Sequence, residues 1–192
     1  MRSVKIVLGL GNPGHEFEST RHNLGAKALS VDCDRRGLRL VPSLRSRSLL
    51  AEYRDGLDVV AFAFPQTYMN NSGEALKGLM RRYKLSSASD LVVVHDELDL
   101  PPGVVRIKSG GGVAGHNGLK SIVAGFGSSE FVRVRIGIGR PIGSQSVVDY
   151  VLARLGSRDM ATFDGSINLA ADALDVILAK GVELAMNEFN GN

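Results

Sequence analysis

Several side chains that could take part in hydrolysis follow predicted strands or open predicted helices. They are Asn12, His22, Asn23, Asn70, Asn71, Asp96, His116 and Asn117. A histidine with a pKa near about 6.5 can accept a proton from water at neutral pH, and a carboxylate on its other ring nitrogen fixes the tautomer. Asparagine amides can donate hydrogen bonds to an oxyanion as it develops. Each residue alone also has a structural explanation, since asparagines cap helices and form turns, so the hypothesis depends on their meeting at one edge of a sheet.

The sequence contains no obvious covalent nucleophile. It has no G-x-S-x-G motif, and Cys33, its only cysteine, falls within a predicted helix where a small buried apolar residue is expected. A single cysteine excludes an internal disulfide and a multi-thiolate zinc site, and it favours a reducing compartment such as the cytoplasm. In H-D-E-L-D at 95–99, neighbouring side chains on a strand face opposite sides and cannot all converge on a metal ion. We therefore expect water activated by a general base, with no metal ion or other cofactor.

Residues 9–14 read G-L-G-N-P-G, which matches the G-x-G-x-x-G pattern of dinucleotide-binding loops. Asp34, 20 residues after Gly14, stands where a ribose-binding carboxylate would be expected. However, Pro13 removes one backbone N–H from the turn, and the two glutamates that follow would lie beside the phosphates. We therefore expect the turn to present the side chain of Asn12 rather than to bind a pyrophosphate.

The size and charge of the chain narrow the choice of function. Its 192 residues, 20.5 kDa and 44% hydrophobic content fit one domain over residues 1–192. Residues 1–140 hold 20 Lys and Arg against 13 Asp and Glu, whereas residues 141–192 hold 3 against 7. A basic body favours a polyanionic partner such as nucleic acid, although ordinary enzymes also carry charge of this size. No apolar run reaches the ~18 residues of a membrane span, and the first residues are too polar for a signal peptide.

Alternation and helical spacing predict the elements that must position these residues. Apolar runs predict strands over 4–10, 48–54, 57–64, 91–95, 104–108 and 131–138. Helical spacing predicts helices over 22–36, about 70–84 and 117–126, and a mostly helical chain from about residue 147 onwards that includes 167–184. This mixture predicts a single α/β domain with a central mixed β-sheet surrounded by helices. Because glycines precede residues 141–155, we expect this stretch to be a mobile lid over the cleft.

Five blocks of the sequence resemble signature motifs of the bacterial peptidyl-tRNA hydrolase family. In family order between residues 9 and 141, the blocks are G-L-G-N-P-G-x-E-F-x-x-T-R-H-N-x-G, Y-M-N-x-S-G, H-D-E-L-D-L-P-P-G, G-G-G-x-x-G-H-N-G-L-K-S and V-R-I-G-I-G-R-P. The resemblance implies hydrolysis of the ester that joins a peptide to the 3′ ribose of tRNA, which recycles tRNA from aborted translation. It also implies a peptidyl-tRNA hydrolase-like fold, a metal-free site, a monomer, a cytosolic location and no membrane partner.

The resemblance also implies roles for particular residues. His22 would be the base that activates water, Asp96 would hold its basic form, and Asn12 would distinguish a blocked peptidyl amide from a free amino group. The residues that would line the cleft or bind the peptide and the tRNA are Phe17, Tyr68, Met69, Asn70, His116 and Asn117. Lys108 and Arg133 match positions taken to hold the tRNA 5′ phosphate, and Arg135 on the same strand face competes for that role.

Two residues depart from the family pattern. Phe17 stands where the family usually has tyrosine, so the ring that stacks is kept while a hydroxyl donor to tRNA is lost. Val113, in the glycine-rich loop, replaces the commoner histidine or glutamate. The first departure puts one tRNA hydrogen bond in question, and the sequence gives no effect for the second.

Two rival functions stay open at this point. A binding protein with the same fold would need no positioned base, so an intact set of His22, Asp96 and Asn12 favours the enzyme. A general esterase or peptidase would cleave small esters without tRNA, and it gives no reason for Lys108 and Arg133 beyond a solvated face.

Overall fold

The fold is seen in a computed structural model that describes residues 3–85 and 87–191. The strands are β1 (Val4–Gly9), β2 (Val41–Ser43), β3 (Ser48–Asp55), β4 (Asp58–Pro65), β5 (Leu91–Glu97), β6 (Val105–Ser109) and β7 (Val132–Gly137). The α-helices are α1 (Leu24–Arg35), α2 (Ser72–Tyr83), α3 (Asn117–Phe126), α4 (Val147–Leu152), α5 (Ser157–Lys180) and α6 (Val182–Asn190). Short 3-10 turns at Arg21–Asn23 and Met69–Asn71 lead into α1 and α2.

Within the described residues, seven strands form one mixed sheet in the order β2-β3-β4-β1-β5-β7-β6. The strands β4, β1, β5 and β7 are parallel, whereas β2, β3 and β6 pair antiparallel with their neighbours. The carboxyl ends of the four parallel strands therefore lie at one edge of the sheet, where ligands bind in α/β folds. This architecture confirms the predicted α/β domain with a central mixed sheet surrounded by helices.

The sheet is covered on both faces, which explains the unbroken apolar sequences of its central strands. On one face, Val92 and Val94 of β5 pack in a cluster with α1 and α5, and on the other, Leu91 and Val93 pack with α2 and α3. All seven residues of β5 are buried. The strand that carries the predicted aspartate is therefore held firmly by the core.

Glycines allow α1 to begin directly against the sheet. A Cβ on Gly25 would lie 2.2 Å from the carbonyl oxygen of Val94, and one on Gly9 would lie 2.7 Å from the carbonyl oxygen of Gly25. No side chain fits at such distances, so the first turn of α1 contacts the backbone of β1 and β5. This close approach brings the residues just before α1 to the carboxyl end of β5.

The structure corrects several predicted boundaries. The helix predicted over 22–36 begins at Leu24, and the helix predicted over 167–184 is divided at Gly181, whose φ of 93° lies outside the helical region. The short strand β2, which has three residues, was not predicted from the sequence. Among the described residues, no helix is both long and apolar enough to cross a bilayer.

Candidate active site

The centre of the site is Asp96, which lies near the end of β5 and is 3% exposed. Nδ1 of His22, in the turn before α1, lies 2.9 Å and 3.0 Å from its two carboxylate oxygens. Because a carboxylate can only accept, Nδ1 carries the proton and Nε2 of His22 keeps its lone pair. The predicted base and its predicted orienting carboxylate are therefore hydrogen-bonded to each other.

Electrostatics around this pair favour an imidazole that accepts a proton readily. Burial disfavours the charged form of His22, but the carboxylate of Asp96 outweighs it, so the pKa of His22 is raised above its usual value. Burial likewise opposes the charge of Asp96, but His22 and His116 hold the pKa of that carboxyl well below its usual range. The carboxylate therefore stays ionised and stabilises the imidazolium that forms when His22 takes a proton.

A second histidine contacts the same carboxylate. Nε2 of His116 lies 2.9 Å from Oδ1 of Asp96, and the rings of His116 and His22 have centroids 4.9 Å apart. Nδ1 of His116 accepts the backbone N–H groups of Gly118 at 3.1 Å and Leu119 at 3.3 Å. The resemblance implied that His116 lines the cleft, but its bond to Asp96 was not predicted.

These three side chains also offer ligand atoms within 4.8 Å of one another that could hold a metal ion. Both ring nitrogens that face Asp96 donate to it in the observed arrangement. A metal ion would therefore have to displace two N–H···O hydrogen bonds to bind there. The hydrogen-bonded set accounts for every polar atom of the cluster that faces the carboxylate.

A third histidine, His95, supports the backbone of the site. Its ring is buried and its Nδ1 donates to the carbonyl oxygen of Asp96 over 2.7 Å. Burial lowers the pKa of His95 to about 3, so the ring is neutral at physiological pH. Its Nε2 has no hydrogen-bond partner among the residues described. The strand predicted over 91–95 ended at His95, whereas β5 continues for two more residues to Glu97.

Asn12 is held in one orientation by its neighbours. Its side-chain oxygen accepts the N–H of Met69 at 2.7 Å, so its amide nitrogen is the group left for a ligand. Asn23 receives the N–H of Asn12 and donates to its carbonyl oxygen, both at 2.9 Å. Asn23 was among the candidate side chains but was assigned no specific role, although its position next to His22 in the R-H-N motif could have indicated one.

The glycines of residues 9–14 serve this packing. A Cβ on Gly11 would lie 2.9 Å from the side-chain carbon of Asn23. The backbone of Asn12, which a dinucleotide loop would turn towards a pyrophosphate, is instead paired with Asn23. The resemblance to a dinucleotide-binding loop is therefore confined to the spacing of the glycines.

A cavity of about 330 Å³ opens beside the histidines. Its polar side is formed by His22, Asp96 and His116. Its apolar wall includes Leu98, Leu119 and residues 147, 148 and 151 of α4. A cavity with a polar floor and apolar walls suits a ligand that presents a reactive polar group together with an apolar side chain.

Of the predicted contacts to peptide and tRNA, Tyr68, Asn70 and Asn117 form an exposed rim of this site, whereas Met69 is buried. Tyr68 is 60% exposed and meets the ring of Phe17 edge-on, with centroids 6.3 Å apart. Asn70 and Asn117 are exposed, and within the described residues their side chains make no hydrogen bond. These groups are therefore available to a ligand, unlike those of the buried cluster.

The three predicted phosphate-binding residues differ in their surroundings. Lys108 and Arg133 are cross-strand partners on β6 and β7, and Lys108 is exposed. Arg133 is 3% exposed, and its guanidinium donates to the carbonyl oxygens of Gly111, Gly112 and Ser129. Arg135 donates to Glu97 at 3.0 Å. The donors of Arg133 are thus directed into the glycine-rich loop, which the alternation along β7 could not reveal, and Lys108 presents the accessible charge.

Comparison with known proteins places the chain in a family. The family model described as peptidyl-tRNA hydrolase matches residues 6–192. A peptidyl-tRNA hydrolase of Chloroflexus aurantiacus is 43% identical over 185 residues, covering 96% of this chain and 98% of that protein. The enzyme of Idiomarina loihiensis is 39% identical over 187 residues, covering 97% and 94%. The crystal structure of peptidyl-tRNA hydrolase from Acinetobacter baumannii has a TM-score of 0.88 at 35% identity, covering 97% and 94%. The chain therefore belongs to the peptidyl-tRNA hydrolase family.

Proposed function

We propose that this protein hydrolyses the ester that joins a peptide, or an N-blocked amino acid, to the 3′ ribose of tRNA, with His22 as the general base. The observation that carries the proposal is the buried hydrogen bond from Nδ1 of His22 to Asp96, which leaves Nε2 to accept a proton. Family membership supplies the substrate class, since the related proteins bear the name peptidyl-tRNA hydrolase.

The reaction begins at Nε2 of His22. This nitrogen takes a proton from a water molecule while the water oxygen attacks the ester carbonyl carbon, and the carbonyl oxygen becomes an oxyanion. The imidazolium is stabilised by Asp96, whose pKa is held low enough to keep it ionised. When the carbon–oxygen bond to the ribose breaks, the proton on Nε2 passes to the ribose oxygen. The products are the peptide carboxylic acid and tRNA with its 3′ hydroxyl restored.

Three asparagines supply hydrogen bonds around this centre. The amide nitrogen of Asn12 has a fixed direction because Met69 occupies its oxygen. Asn70 and Asn117, on the rim, have amides available for the peptide backbone and the tRNA 3′ end. A blocked amino group presents an amide that such donors and acceptors can bind, whereas a charged ammonium offers only donors. This difference supports a preference for peptidyl-tRNA over aminoacyl-tRNA.

Recognition of the tRNA body relies on charge in this proposal. Lys108 lies on the exposed side of β6 and can meet a phosphate without breaking an internal bond. Arg133 contributes by holding the loop at Gly111 and Gly112 beside it. Action in a reducing compartment such as the cytoplasm fits a chain with a single, buried cysteine.

Residues 141–155 form the lid in this proposal. Ile142, Val147 and Val148 are exposed, and the last two also line the cavity. The far end is tethered, because the hydroxyl of Tyr150 donates to the carbonyl oxygen of Ile138 and the guanidinium of Arg21 stacks on its ring. Hydrogen exchange should be faster in 141–148 than in β5, and equal protection of the two would contradict the lid.

The activity is tested by incubating the protein with N-acetyl-aminoacyl-tRNA, aminoacyl-tRNA and a small aryl ester in parallel. We expect release of the blocked amino acid only. Cleavage of the aryl ester at a comparable rate would indicate a general esterase, and binding of tRNA without release would indicate a binding protein. Activity that survives dialysis against EDTA would agree with a metal-free site, whereas activity restored only by a divalent ion would contradict it.

A further inference from the structure

His116 stands at the N-terminus of α3, as the residue that caps this helix. Histidine is not among the side chains that usually cap helices, which are serine, threonine, aspartate and asparagine. Here Nδ1 of His116 accepts the N–H groups of Gly118 and Leu119, two of the donors that a helix leaves without partners in its first turn. One ring thus joins a helix end to the carboxylate of Asp96.

The cap decides where the proton of this ring lies. A nitrogen that accepts two N–H groups must keep its lone pair, so the proton of His116 is on Nε2 and points to Asp96. A second proton, on Nδ1, would break both capping bonds. It would also place a positive charge at the N-terminus of a helix, where the helix dipole is already positive.

We propose that His116 is a positioning residue whose neutral ring is held by the N-terminus of α3 with its proton on Nε2. The Nε2–H group donates to Asp96, and His22 is therefore the imidazole of this cluster that takes up a proton. The proposal rests on the proposed function for its catalytic consequence. The tautomer itself follows from the hydrogen bonds alone.

The two histidines on Asp96 therefore hold opposite tautomers. His22 donates from Nδ1 and keeps Nε2 basic, whereas His116 donates from Nε2 and uses Nδ1 for the helix. The other titratable group against the ring of His116 is His95, whose centroid lies 5.1 Å away and which is neutral.

Other charged groups near the cluster are paired or exposed. Glu97 is bonded to Arg135, and Arg140 is bonded to Asp99. Lys120, one turn further along α3, has an exposed side chain. None of these offers His116 a second carboxylate that would favour its protonation. Asp96, already shared with His22, is the acceptor that the ring has.

The hydrogen bond that neutral His116 donates to Asp96 should lower the pKa of His22. A hydrogen bond to Asp96 spreads its negative charge and weakens its attraction for the His22 imidazolium. If His116 is removed, the carboxylate faces His22 alone, and the pKa of His22 should rise further. His22 would then stay protonated, and inactive as a base, over a wider range of acidic pH.

The tautomer is tested directly by ring-nitrogen NMR on the unaltered protein labelled with ¹⁵N-histidine. Between about pH 5.5 and 8.5, His116 should keep the signals of a neutral ring protonated on Nε2, while those of His22 move with pH. The exposed His15, which lies outside the cluster, can be assigned through His15→Ala. Conversion of His116 to the imidazolium pattern in this range, or a proton on Nδ1, would overturn the proposal. This readout needs no substrate, so it can fail while the hydrolase activity is confirmed.

The catalytic consequence is tested with two variants at one position. Asparagine is a good helix cap but is shorter than histidine, so His116→Asn keeps the cap of α3 while losing the donor to Asp96. His116→Ala loses both. In each variant the acid limb of kcat/KM should move to higher pH by about one unit, and much of the lost rate should return at alkaline pH. A rate that falls equally at every pH, with the limb unmoved, would show that His116 only shapes the cleft.

Discussion

The floor and the rim of the cleft are built in opposite ways. The four side chains of the floor are hydrogen-bonded within the protein, and three of the four residues are buried; they are Asn12, His22, Asp96 and His116. On the rim, Tyr68, Asn70, Asn117 and Lys108 are exposed. The floor is therefore organised before any ligand arrives, whereas the rim has hydrogen-bonding capacity left to offer one.

This difference predicts a division of labour. Groups that are fixed in advance stabilise a transition state without reorganising, so changes on the floor should lower kcat. Exposed groups contribute binding that substrate and transition state share, so changes on the rim should raise KM.

The largest loss is expected for His22→Ala. Removing the general base should lower kcat by roughly 10³-fold, because proton transfer by a positioned side chain typically contributes about 10²–10⁴-fold. His15→Ala is the matched control, since His15 is an exposed histidine in the preceding turn. Rates are measured by release of the blocked amino acid from N-acetyl-aminoacyl-tRNA. Equal losses in the two variants would show that His22 has no specific role in catalysis.

Asp96→Asn should cause the next largest loss, on the order of 10²-fold in kcat. Because His116 donates from Nε2, the introduced amide oxygen must face His116 and the amide NH2 must face His22. Nδ1 of His22 then has to accept, so its proton moves to Nε2 and the base is lost. Steady-state rates should fall while KM changes little. A large rise in KM with kcat unchanged would show that Asp96 contributes to substrate binding rather than to the chemical step.

The pH dependence of the wild-type enzyme should show the raised pKa of His22. The imidazole is a base only when neutral, and its pKa lies above the ordinary 6.5. The rate should therefore fall as pH drops through this pKa, approaching about tenfold per pH unit. A profile of kcat/KM against pH measures this fall in rate on the acid side. A rate that stays constant down to pH values below 6 would contradict the assignment of His22.

Lys108→Ala tests the rim. KM for the tRNA substrate should rise several-fold, and the slope of log affinity against log salt should lose about one unit, because one phosphate contact is removed. A short oligonucleotide that ends at the tRNA 3′ terminus and carries an N-acetyl-aminoacyl group should be cleaved as before. Lys180→Ala, at the exposed end of α5, is the control that changes charge alone. Loss of kcat on the short substrate would place Lys108 in the chemistry.

The smallest effect is expected for Phe17→Tyr. The ring already meets Tyr68 edge-on, so the stacking is in place and only a hydroxyl is added. We expect about a twofold to threefold decrease in KM for full tRNA, the size of one exposed hydrogen bond, with kcat unchanged. Titration of both proteins with uncharged tRNA measures the difference. A change in kcat would show that Phe17 also affects the catalytic groups on the floor of the cleft.

The sequence predicted the elements of this site well because their signals are local. The apolar run of β5 ends at the predicted aspartate, and the helix over 117–126 is found at the predicted residues. The pairing of His22 with Asp96 was implied by the family resemblance, and the structure places Nδ1 of His22 2.9 Å from a carboxylate oxygen of Asp96.

What the sequence did not reveal depends on contacts between distant segments. The burial of Arg133 requires the loop at Gly111 and Gly112 to fold over β7. The bond of His116 to Asp96 requires α3 to start beside the end of β5. Gly181 interrupts a stretch whose apolar periodicity continues on both sides, so periodicity alone could not locate the break.

The central claim is that His22 acts on the bound substrate rather than binding it. The most direct test measures affinity and single-turnover cleavage of N-acetyl-aminoacyl-tRNA by His22→Asn in the same sample. We predict that the affinity stays within about threefold of the wild-type value while the cleavage rate falls by about 10³-fold. Cleavage within tenfold of the wild-type rate, or a loss explained by weaker binding alone, would contradict the account.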